Sequence, residues 1–410
     1  MTNSYNTASM RILFVNNVPF NPILGGVVRV TDTLTRALIA KGGFSNYYLC
    51  GKVAPQYEYC LKYDFPARQY MLPESGFFSS DKNKEFYRNL LEELKIDIVV
   101  NQRGLDSEFD KVLNVGDIKK ISVLHTKPNA KIVHDLSRML LFSNEPKEQI
   151  KKYIKILLYP FFYLRTKYKA KRYLRTVYSN LVQNSDAIVL LSDNYKKEFL
   201  SNGIDSDNKL ICGIPNPNTF PVKKDAQIEK KEKIILFVGR LDPFEKNVLS
   251  LIKIWEKLYL IHSDWKLVLV GEGTDRPRIE GYIRNKNIKN VHLEGTKNNV
   301  ADYYSKASFF CLTSFYEGFP MVLTEGMTYG CIPFTFNNYG AASDIIDDGK
   351  NGCLIPAYDL NEYASRLSEL IQDKKKRTEL ANAAVDKVKS FNAENVVLEW
   401  CNLFERLIER

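Results

Sequence analysis

The chain has 410 residues, of which 45% are hydrophobic and 26% charged, and its formal net charge is +10. This length exceeds one ordinary hydrophobic core and indicates two domains, and the composition excludes an extensively disordered protein. The first residues show no basic segment followed by an apolar core, and no apolar run reaches the roughly 18 residues of a spanning helix, so neither a signal peptide nor a membrane span is expected. The seven cysteines are scattered and odd in number, which predicts reduced thiols in a cytoplasmic protein rather than disulfides or zinc ligands.

The first predicted elements form the entry to a Rossmann-like unit. The apolar run 10–17 is typical of a buried parallel strand, and the segment 27–41 carries apolar residues at helical spacing. Between them lie Gly25 and Gly26, and paired glycines let backbone N–H groups approach a phosphate closely. An ordinary tight turn explains this glycine pair equally well when the pair is taken alone.

The alternation of strands and helices continues through the first half of the chain. Strands are predicted over 96–101 and 120–126, with a helical segment around 86–94. His125 stands at the end of the second strand, and this end of a parallel strand faces the crevice where open α/β sheets bind ligands. The alternative interpretation is a histidine that bonds only to nearby backbone.

Residues 150–182, which we call the basic segment, contain nine Lys and Arg, eight aromatic residues and no Asp or Glu. Residues 1–220 as a whole hold 31 Lys and Arg against 21 Asp and Glu, whereas the remaining residues hold 27 of each kind. Pro160 is predicted to divide the segment into two helical pieces. A nucleic-acid surface would need a nucleic-acid fold signature, and none accompanies the segment. Two interpretations stay open: docking on an anionic membrane, and a solvated helix with the core face Leu174, Val177, Tyr178 and Leu181.

The lysine-rich stretch 222–233 is predicted to be a linker, and a second domain begins with a strand at Ile234. After that strand come Gly239, Arg240 and Lys246. The two cations would lie at the carboxyl end of a strand, where a guanidinium offers phosphate oxygens a planar fork and an ammonium offers a point charge. Two ordinary surface cations in a loop are the alternative.

The stretch 314–330 carries two acids in an apolar context. Pro320 suits the first turn of a short helix, and Gly330 is placed to end that helix with a left-handed cap. Glu317 precedes the helix, and Glu325 lies inside it, where a buried charge needs a partner.

Three interpretations of these two acids differ in their chemistry. The first is a buried helix with incidental acids. The second is a glycosidase pair, which needs carboxyls about 5–9.5 Å apart, whereas eight helical residues span roughly 12 Å. The third is a pair that holds the two ends of a sugar nucleotide, with the free N–H groups and positive end of the helix between them for a diphosphate.

The run Glu317-Gly-Phe-Pro-Met-Val-Leu-Thr-Glu325, followed by Gly-Cys-Ile-Pro at 330–333, resembles the E-x7-E signature of retaining glycosyltransferases of family 4. The resemblance implies an α/β protein of GT-B fold, with two Rossmann-like domains whose parallel sheets face a central cleft. The first, acceptor domain would cover 1–220 and the second, nucleotide-sugar donor domain 221–392. Amphipathic helices are predicted over 360–389 and 393–408, and the GT-B fold implies that the last helix, about 393–410, packs back on the first domain.

The resemblance also implies roles for individual residues. His125 would face the donor sugar and acceptor, Arg240 and Lys246 would hold the diphosphate, and Glu317 would orient sugar hydroxyls. The resemblance implies further donor-binding residues, which contact the ribose, the diphosphate or the base. Glu325 would bind the ribose, and Thr296 and Lys297 would lie in a loop near the base. The others are Gly25, Gly26, Gly239, Gly318, Phe319, Pro320, Met321 and Val322. No Asp-x-Asp motif stands in a suitable loop, and no metal ion or other cofactor is expected.

The implied function is the transfer of a hexose, with retention, from a nucleoside diphosphate sugar to a hydroxyl of a glycan or lipid-linked acceptor in bacterial surface polysaccharide synthesis. One alternative is a nucleotide-sugar epimerase on the same fold. The other is a non-catalytic protein that binds polysaccharide or membrane, which the complete set of two acids and two cations argues against.

Overall fold

The computed structural model of the protein describes residues 9–53, 58, 63–104, 117–140, 159–206, 209–221 and 226–409. The chain divides into two compact units. The first unit consists of Met1–Pro128, Arg172–Thr219 and Ala393–Arg410, and the second consists of Asn129–Lys171 and Phe220–Asn392.

Each unit is built on one parallel sheet. The order in the first sheet is β3-β2-β1-β4-β5-β6-β7, and in the second it is β10-β9-β8-β11-β12-β13. Central strands are buried along their whole length, as expected where helices cover both faces of a sheet. The strands are β1 (Met10–Val15), β2 (Phe44–Cys50), β3 (Arg68–Met71), β4 (Ile98–Asn101), β5 (Lys119–Leu124), β6 (Ala187–Leu190), β7 (Leu210–Gly213), β8 (Glu232–Val238), β9 (Lys266–Val270), β10 (Val291–Gly295), β11 (Ala307–Cys311), β12 (Ile332–Phe336) and β13 (Cys353–Ile355).

Helices connect the strands as the crossovers that parallel pairing requires. In chain order the α-helices of the described residues are α1 (Gly26–Lys41), α2 (Asp81–Leu94), α3 (Ala130–Leu140), α4 (Tyr159–Gln183), α5 (Lys196–Leu200), α6 (Val248–Leu258), α7 (Arg276–Lys286), α8 (Ala301–Lys306), α9 (Met321–Thr328), α10 (Ala342–Ile345), α11 (Leu360–Gln372), α12 (Lys374–Val388) and α13 (Ala393–Ile408).

The division into units differs from the predicted boundary at residue 220 in one segment, residues 129–171, which the structure groups with the second unit. The physical reason is the set of contacts that α3 makes. His134 Nδ1 lies 3.2 Å from the hydroxyl of Tyr316, and the Arg138 guanidinium lies 5.7 Å from the ring centre of Phe244. The last helix, α13, belongs to the first unit, where it packs against α1 and buries Trp400, Leu403, Phe404 and Leu407.

One predicted helix differs from the structure. The predicted helix 360–389 is two helices, because Asp373 ends α11 and its side chain then accepts a hydrogen bond from the N–H of Lys376 to begin α12. Pro160 is the second residue of α4, and its predicted division of the basic segment into two helical pieces stays a prediction. The part of the basic segment before residue 159 lies outside the described residues.

Candidate functional site

The loop between β8 and α6 carries both predicted cations and folds around Asp242. The Asp242 carboxylate accepts hydrogen bonds from the N–H groups of Phe244 and Glu245, both at 2.8 Å. The Asp242 carbonyl accepts two more, from Lys246 and Asn247, at 3.2 and 3.1 Å. The backbone of this loop is therefore fixed by one aspartate, and the position of the Lys246 side chain follows from it.

A second loop, after β11, is joined to the first because β8 and β11 are neighbours in the sheet. The Asn247 side chain donates to the Thr313 carbonyl at 3.1 Å, and the Thr313 hydroxyl donates to the Asn247 carbonyl at 3.0 Å. The N–H of Phe315 donates to the Glu245 carbonyl at 2.8 Å. These bonds bring Glu317, two residues further on, next to Lys246.

Lys246 and Glu317 form a largely buried ion pair. The Lys246 ammonium donates to both carboxylate oxygens of Glu317, at 2.8 and 2.9 Å, and the Ser314 hydroxyl donates to one of them at 2.6 Å. Glu317 is only 7% exposed. Burial alone would lower the pKa of Lys246, but the negative charges of Glu317 and Glu245 outweigh it and raise this pKa well above its ordinary value. Lys246 therefore stays charged throughout the neutral pH range.

Glu245 extends this pair into a chain of four charges. One of its carboxylate oxygens lies 2.8 Å from the Lys246 ammonium, and the other accepts a 2.7 Å hydrogen bond from the guanidinium of Arg240. The Arg240 side chain is 67% exposed. We call Arg240, Glu245, Lys246 and Glu317 the charged network. It presents one half-buried cation, Lys246, and one exposed cation, Arg240, at the carboxyl end of β8.

Glu325 is the second buried acid of the candidate site. It is 1% exposed on α9, and the hydroxyl of Tyr304 donates to its Oε2 at 3.1 Å. Tyr304 is itself buried and stacks on Tyr329, with ring centres 6.0 Å apart. Two tyrosines are therefore among the neighbours of this acid.

The residues between Glu317 and Glu325 include the start of α9 and are mostly buried. Pro320 stands at the N-cap position, directly before Met321, and Gly330 adopts the left-handed conformation, with φ of 79°, as predicted. Gly318, Phe319 and Met321 are buried, Val322 is half-buried, and the Phe319 ring packs on Phe391 at 5.3 Å. What this stretch offers a ligand is therefore the backbone at the start of the helix more than its side chains.

A glycine marks the carboxyl end of three strands of the second unit: Gly239 directly follows β8, Gly271 directly follows β9, and Gly295 is the last residue of β10. A Cβ atom on Gly271, whose φ is 138°, would lie 1.9 Å from the Gly239 carbonyl oxygen, so this close approach of two loops requires glycine. Thr296 and Lys297 follow in an exposed loop, where the Lys297 ammonium pairs with Glu294 at 3.4 Å.

His125 lies in the first unit, directly after β5, as predicted. Its Nε2 lies 2.5 Å from the Gln102 amide oxygen, to which the ring donates. Burial lowers the pKa of His125 to about 4, so the ring is neutral at physiological pH. Both residues line a cavity of about 250 Å³.

The glycine pair of the first unit stands at the start of α1. Gly25 has a φ of 145°, a conformation that L side chains rarely adopt, and no atom lies within 4 Å of where its Cβ would be. Gly26 is the first residue of the helix. The open space and the helix N-terminus are the arrangement that a phosphate group requires.

A cavity of about 540 Å³ lies beside the charged network in the second unit. Asn247 and Phe315, which connect the two loops, line it. Apolar side chains form much of the rest of its wall, and the cations Lys253 and Arg278 also line it. Its other lining residues are Val133, Leu136, Ser137, Pro243, Leu249, Ser250 and Tyr358.

The structure thus brings Lys246 and Glu317 into direct contact and connects Arg240 to them through Glu245. Four partners were not predicted: Glu245, Tyr304, Gln102 and His134. Only Gln102 had a signal in the sequence, since it follows the predicted strand 96–101 as His125 follows the next strand. Among the described residues, no group of three or more His, Cys, Asp or Glu is placed to hold a metal ion. No helix in that part of the chain has the length and apolarity needed to cross a membrane.

The sequence of the second unit matches a known family. Residues 219–387 match the family model described as Glycosyl transferases group 1. A Campylobacter jejuni protein named GalNAc-alpha-(1->4)-GalNAc-alpha-(1->3)-diNAcBac-PP-undecaprenol alpha-1,4-N-acetyl-D-galactosaminyltransferase is 33% identical over 197 residues, or 48% of this chain and 54% of that protein. The chain therefore spans about half the length of this relative.

Longer similarities are more distant. The C. jejuni N-acetylgalactosamine-N,N'-diacetylbacillosaminyl-diphospho-undecaprenol 4-alpha-N-acetylgalactosaminyltransferase is 26% identical over 372 residues, which cover 90% of this chain and 93% of that protein. A mutant of S. aureus TarM, solved with Fondaparinux, alpha-GlcNAc-glycerol and UDP, has a TM-score of 0.71 at 16% identity, with 96% of this chain and 99% of that chain covered. The predicted fold class is confirmed: the protein has the GT-B fold, with two Rossmann-like parallel sheets.

Proposed function

We propose that the protein is a retaining glycosyltransferase of family 4 that moves a hexose from a nucleoside diphosphate sugar to a hydroxyl group. The observation that carries this proposal is the buried Lys246–Glu317 ion pair, which stands at the carboxyl ends of neighbouring strands within the region that matches group 1 glycosyl transferases. Ligands of open α/β sheets bind at these strand ends.

In this proposal the donor diphosphate takes over part of the coordination of Lys246. The bond between the sugar C1 and the diphosphate breaks, and negative charge grows on the leaving phosphate oxygens. Lys246, Arg240 and the N-terminus of α9 oppose that charge, which is the kind of contribution that lowers a transition state more than a ground state. The acceptor oxygen bonds to C1 on the face that the diphosphate leaves, and the acceptor hydroxyl passes its proton to the leaving phosphate oxygen.

Glu317 and Glu325 bind the two ends of the donor in this proposal. Glu317, released from part of its bond to Lys246, accepts hydrogen bonds from sugar hydroxyls. Glu325 accepts them from the ribose. In the first unit, Gly25 and Gly26 face the diphosphate, and neutral His125 faces the sugar and the acceptor. The loop at Thr296 and Lys297 lies against the base.

The acceptor is proposed to be a glycan or a lipid-linked glycan of a bacterial surface polysaccharide. Two relatives are named as transferases that act on undecaprenol-linked saccharides, and this supports a lipid-linked acceptor. The enzyme would then work in the cytoplasm at the inner face of the plasma membrane. Because Lys246 and Arg240 supply the positive charge, no metal ion is required, and transfer should continue in EDTA.

A panel of nucleotide sugars, incubated with and without an undecaprenol-linked acceptor, tests the proposal. We expect hexose transfer only when acceptor is present, and a glycosidic bond with the donor's anomeric configuration by NMR. An inverted configuration would contradict retention. Conversion of the donor alone would identify an epimerase. The absence of a reaction with every donor would indicate a non-catalytic binding protein.

A further inference from the structure

Helix α4 has one face that packs into the protein. Its buried side chains recur at intervals of three and four residues, which places them along one side of the helix. These buried side chains are Ala170, Leu174, Val177, Tyr178, Leu181 and Val182. They include the four residues predicted as the core face, and their burial fixes the position of the helix.

The opposite face of α4 is exposed and combines cations with large apolar side chains. Leu164 is 64% exposed, Tyr168 67% and Tyr173 49%. They stand among five exposed cations. Leu164, Tyr168, Lys171 and Arg175 follow at intervals of four, three and four and share one side of the helix, which Arg165, Lys169 and Arg172 flank, whereas Tyr173 lies at the far edge of the exposed surface. We call these eight residues the α4 outer face: Leu164, Arg165, Tyr168, Lys169, Lys171, Arg172, Tyr173 and Arg175.

The α4 outer face carries five positive charges. Among the residues that the structure describes, none of its five cations takes part in an ion pair. The helix itself contains no acid. Elsewhere on the surface, exposed lysines are commonly paired, as Lys374 is with Glu229 and Lys389 with Asp386.

We propose that the α4 outer face docks on an anionic membrane. Three exposed apolar side chains among five unpaired cations match a surface whose headgroups are negative and whose acyl region lies just beneath. A nucleic acid would use the cations but would leave Leu164 in water. The buried opposite face fixes the helix, so docking needs no folding step.

The inference concerns binding alone and does not depend on the proposed transfer reaction. If both hold, docking would bring the protein to a lipid-linked acceptor. Vesicle binding and hexose transfer are measured separately, so failure of one is distinguishable from failure of the other.

Vesicle co-sedimentation of the full chain tests the proposal, with vesicles of phosphatidylglycerol mixed with phosphatidylcholine and vesicles of phosphatidylcholine alone. We expect binding to the anionic vesicles only, and its loss between about 0.1 M and about 1 M salt, where the Debye length falls from about 10 Å to about 3 Å. Replacing Arg165, Lys169 and Arg172 with Gln should weaken binding by roughly a hundredfold. A second variant, Leu164→Ser with Tyr168→Ser, should weaken it while keeping every charge.

The matched control removes the same charge from another helix. Lys374, Lys375 and Lys376 are exposed at the start of α12, and their replacement with Gln should leave vesicle binding unchanged. Equal weakening by both triple variants would show only a net-charge effect and would overturn the proposal. So would equal binding to neutral vesicles. Binding to mixed-sequence RNA without binding to anionic vesicles would assign the face to nucleic acid instead.

Discussion

The two units present their candidate site residues in opposite electrostatic states. In the second unit the charged network keeps Lys246 protonated, because Glu317 and Glu245 outweigh the effect of burial. In the first unit nothing compensates for burial, and His125 is kept neutral beside the amide of Gln102. A buried group thus keeps its charge only where oppositely charged partners surround it.

This difference indicates a division of labour. The charged network can oppose negative charge on a leaving group, whereas the neutral imidazole of His125 donates through Nε2 to Gln102 and offers a ligand Nδ1 as a hydrogen-bond acceptor. Glu325 differs from both, since it is a buried acid that accepts a hydrogen bond from the hydroxyl of Tyr304. The variants described below alter the charged network, His125, or Glu325 and its partner Tyr304, one group at a time.

The largest effect is expected at the charged network. Lys246→Ala should lower transfer about 10²–10³-fold, because it removes a cation that opposes charge on the leaving diphosphate. It should also destabilise the fold by about 3–5 kcal/mol, since Glu317 would be buried without its cation. Steady-state kinetics and urea unfolding measure the two effects.

Arg240→Ala is the matched control from the same loop. It should also reduce transfer, but its exposed side chain should leave stability within about 0.5 kcal/mol of wild type. The double variant Lys246→Met with Glu317→Gln should recover most of the lost stability and none of the activity. Wild-type turnover in both single variants would place the donor site elsewhere.

Substitutions of Glu325 and of Glu317 should weaken the binding of different ligands. Glu325→Gln should weaken binding of the free nucleoside diphosphate and of the sugar nucleotide alike, roughly tenfold or more, because a hydrogen bond to a charged group contributes about 1.5–3 kcal/mol. Glu317→Gln should weaken only the sugar nucleotide. Calorimetric titration of each variant with both ligands measures this, and the reverse pattern would exchange the two roles.

The neutral state of His125 predicts a pH dependence of stability. Its pKa is depressed to about 4 in the folded protein and is about 6.5 when unfolded, so the unfolded chain binds more protons between these values. Stability should therefore rise with pH across this window, by at most about 1.4 kcal/mol per pH unit from this group. His125→Asn should flatten that slope in urea unfolding at several pH values. An unchanged slope would mean that His125 titrates normally.

The smallest effect concerns the orientation of Glu325. Tyr304→Phe removes one hydrogen bond, and we expect nucleoside diphosphate affinity to fall a few-fold, in keeping with about 0.5–1.5 kcal/mol per bond. The neighbouring Tyr303 donates to Glu294 at 2.9 Å and provides the control. Tyr303→Phe should leave the affinity unchanged. Equal losses in both variants would assign the effect to α8 as a whole.

The sequence predicted the regular core of the fold and the residues of the two central loops. Apolar runs at the positions of β1, β4, β5 and β8 are typical of buried parallel strands. Strands β2 and β3 were missed because their residues mix polar and aromatic types without a clear period. The break at Asp373 was not predicted, because the residues on both sides of it follow the same helical spacing. Asp373, which caps α12, stands between these two patterns.

Partners of the site residues were harder to predict than the residues themselves. Glu245 and Tyr304 acquire their roles from strand neighbours that are far apart in sequence, and no motif marks them. The contact of His134 with Tyr316 depends likewise on where α3 packs. Pattern reasoning finds residues with unusual chemistry, but it does not reveal which uncharged or oppositely charged groups share their space.

The most direct test of the account is a crystal structure of the protein with a nucleoside diphosphate bound. We predict that a phosphate oxygen lies within hydrogen-bond distance of the Lys246 ammonium, that Lys246 gives up at least one of its two bonds to Glu317, and that the ribose hydroxyls contact Glu325. A diphosphate bound elsewhere, with the Lys246–Glu317 pair unchanged, would contradict the account.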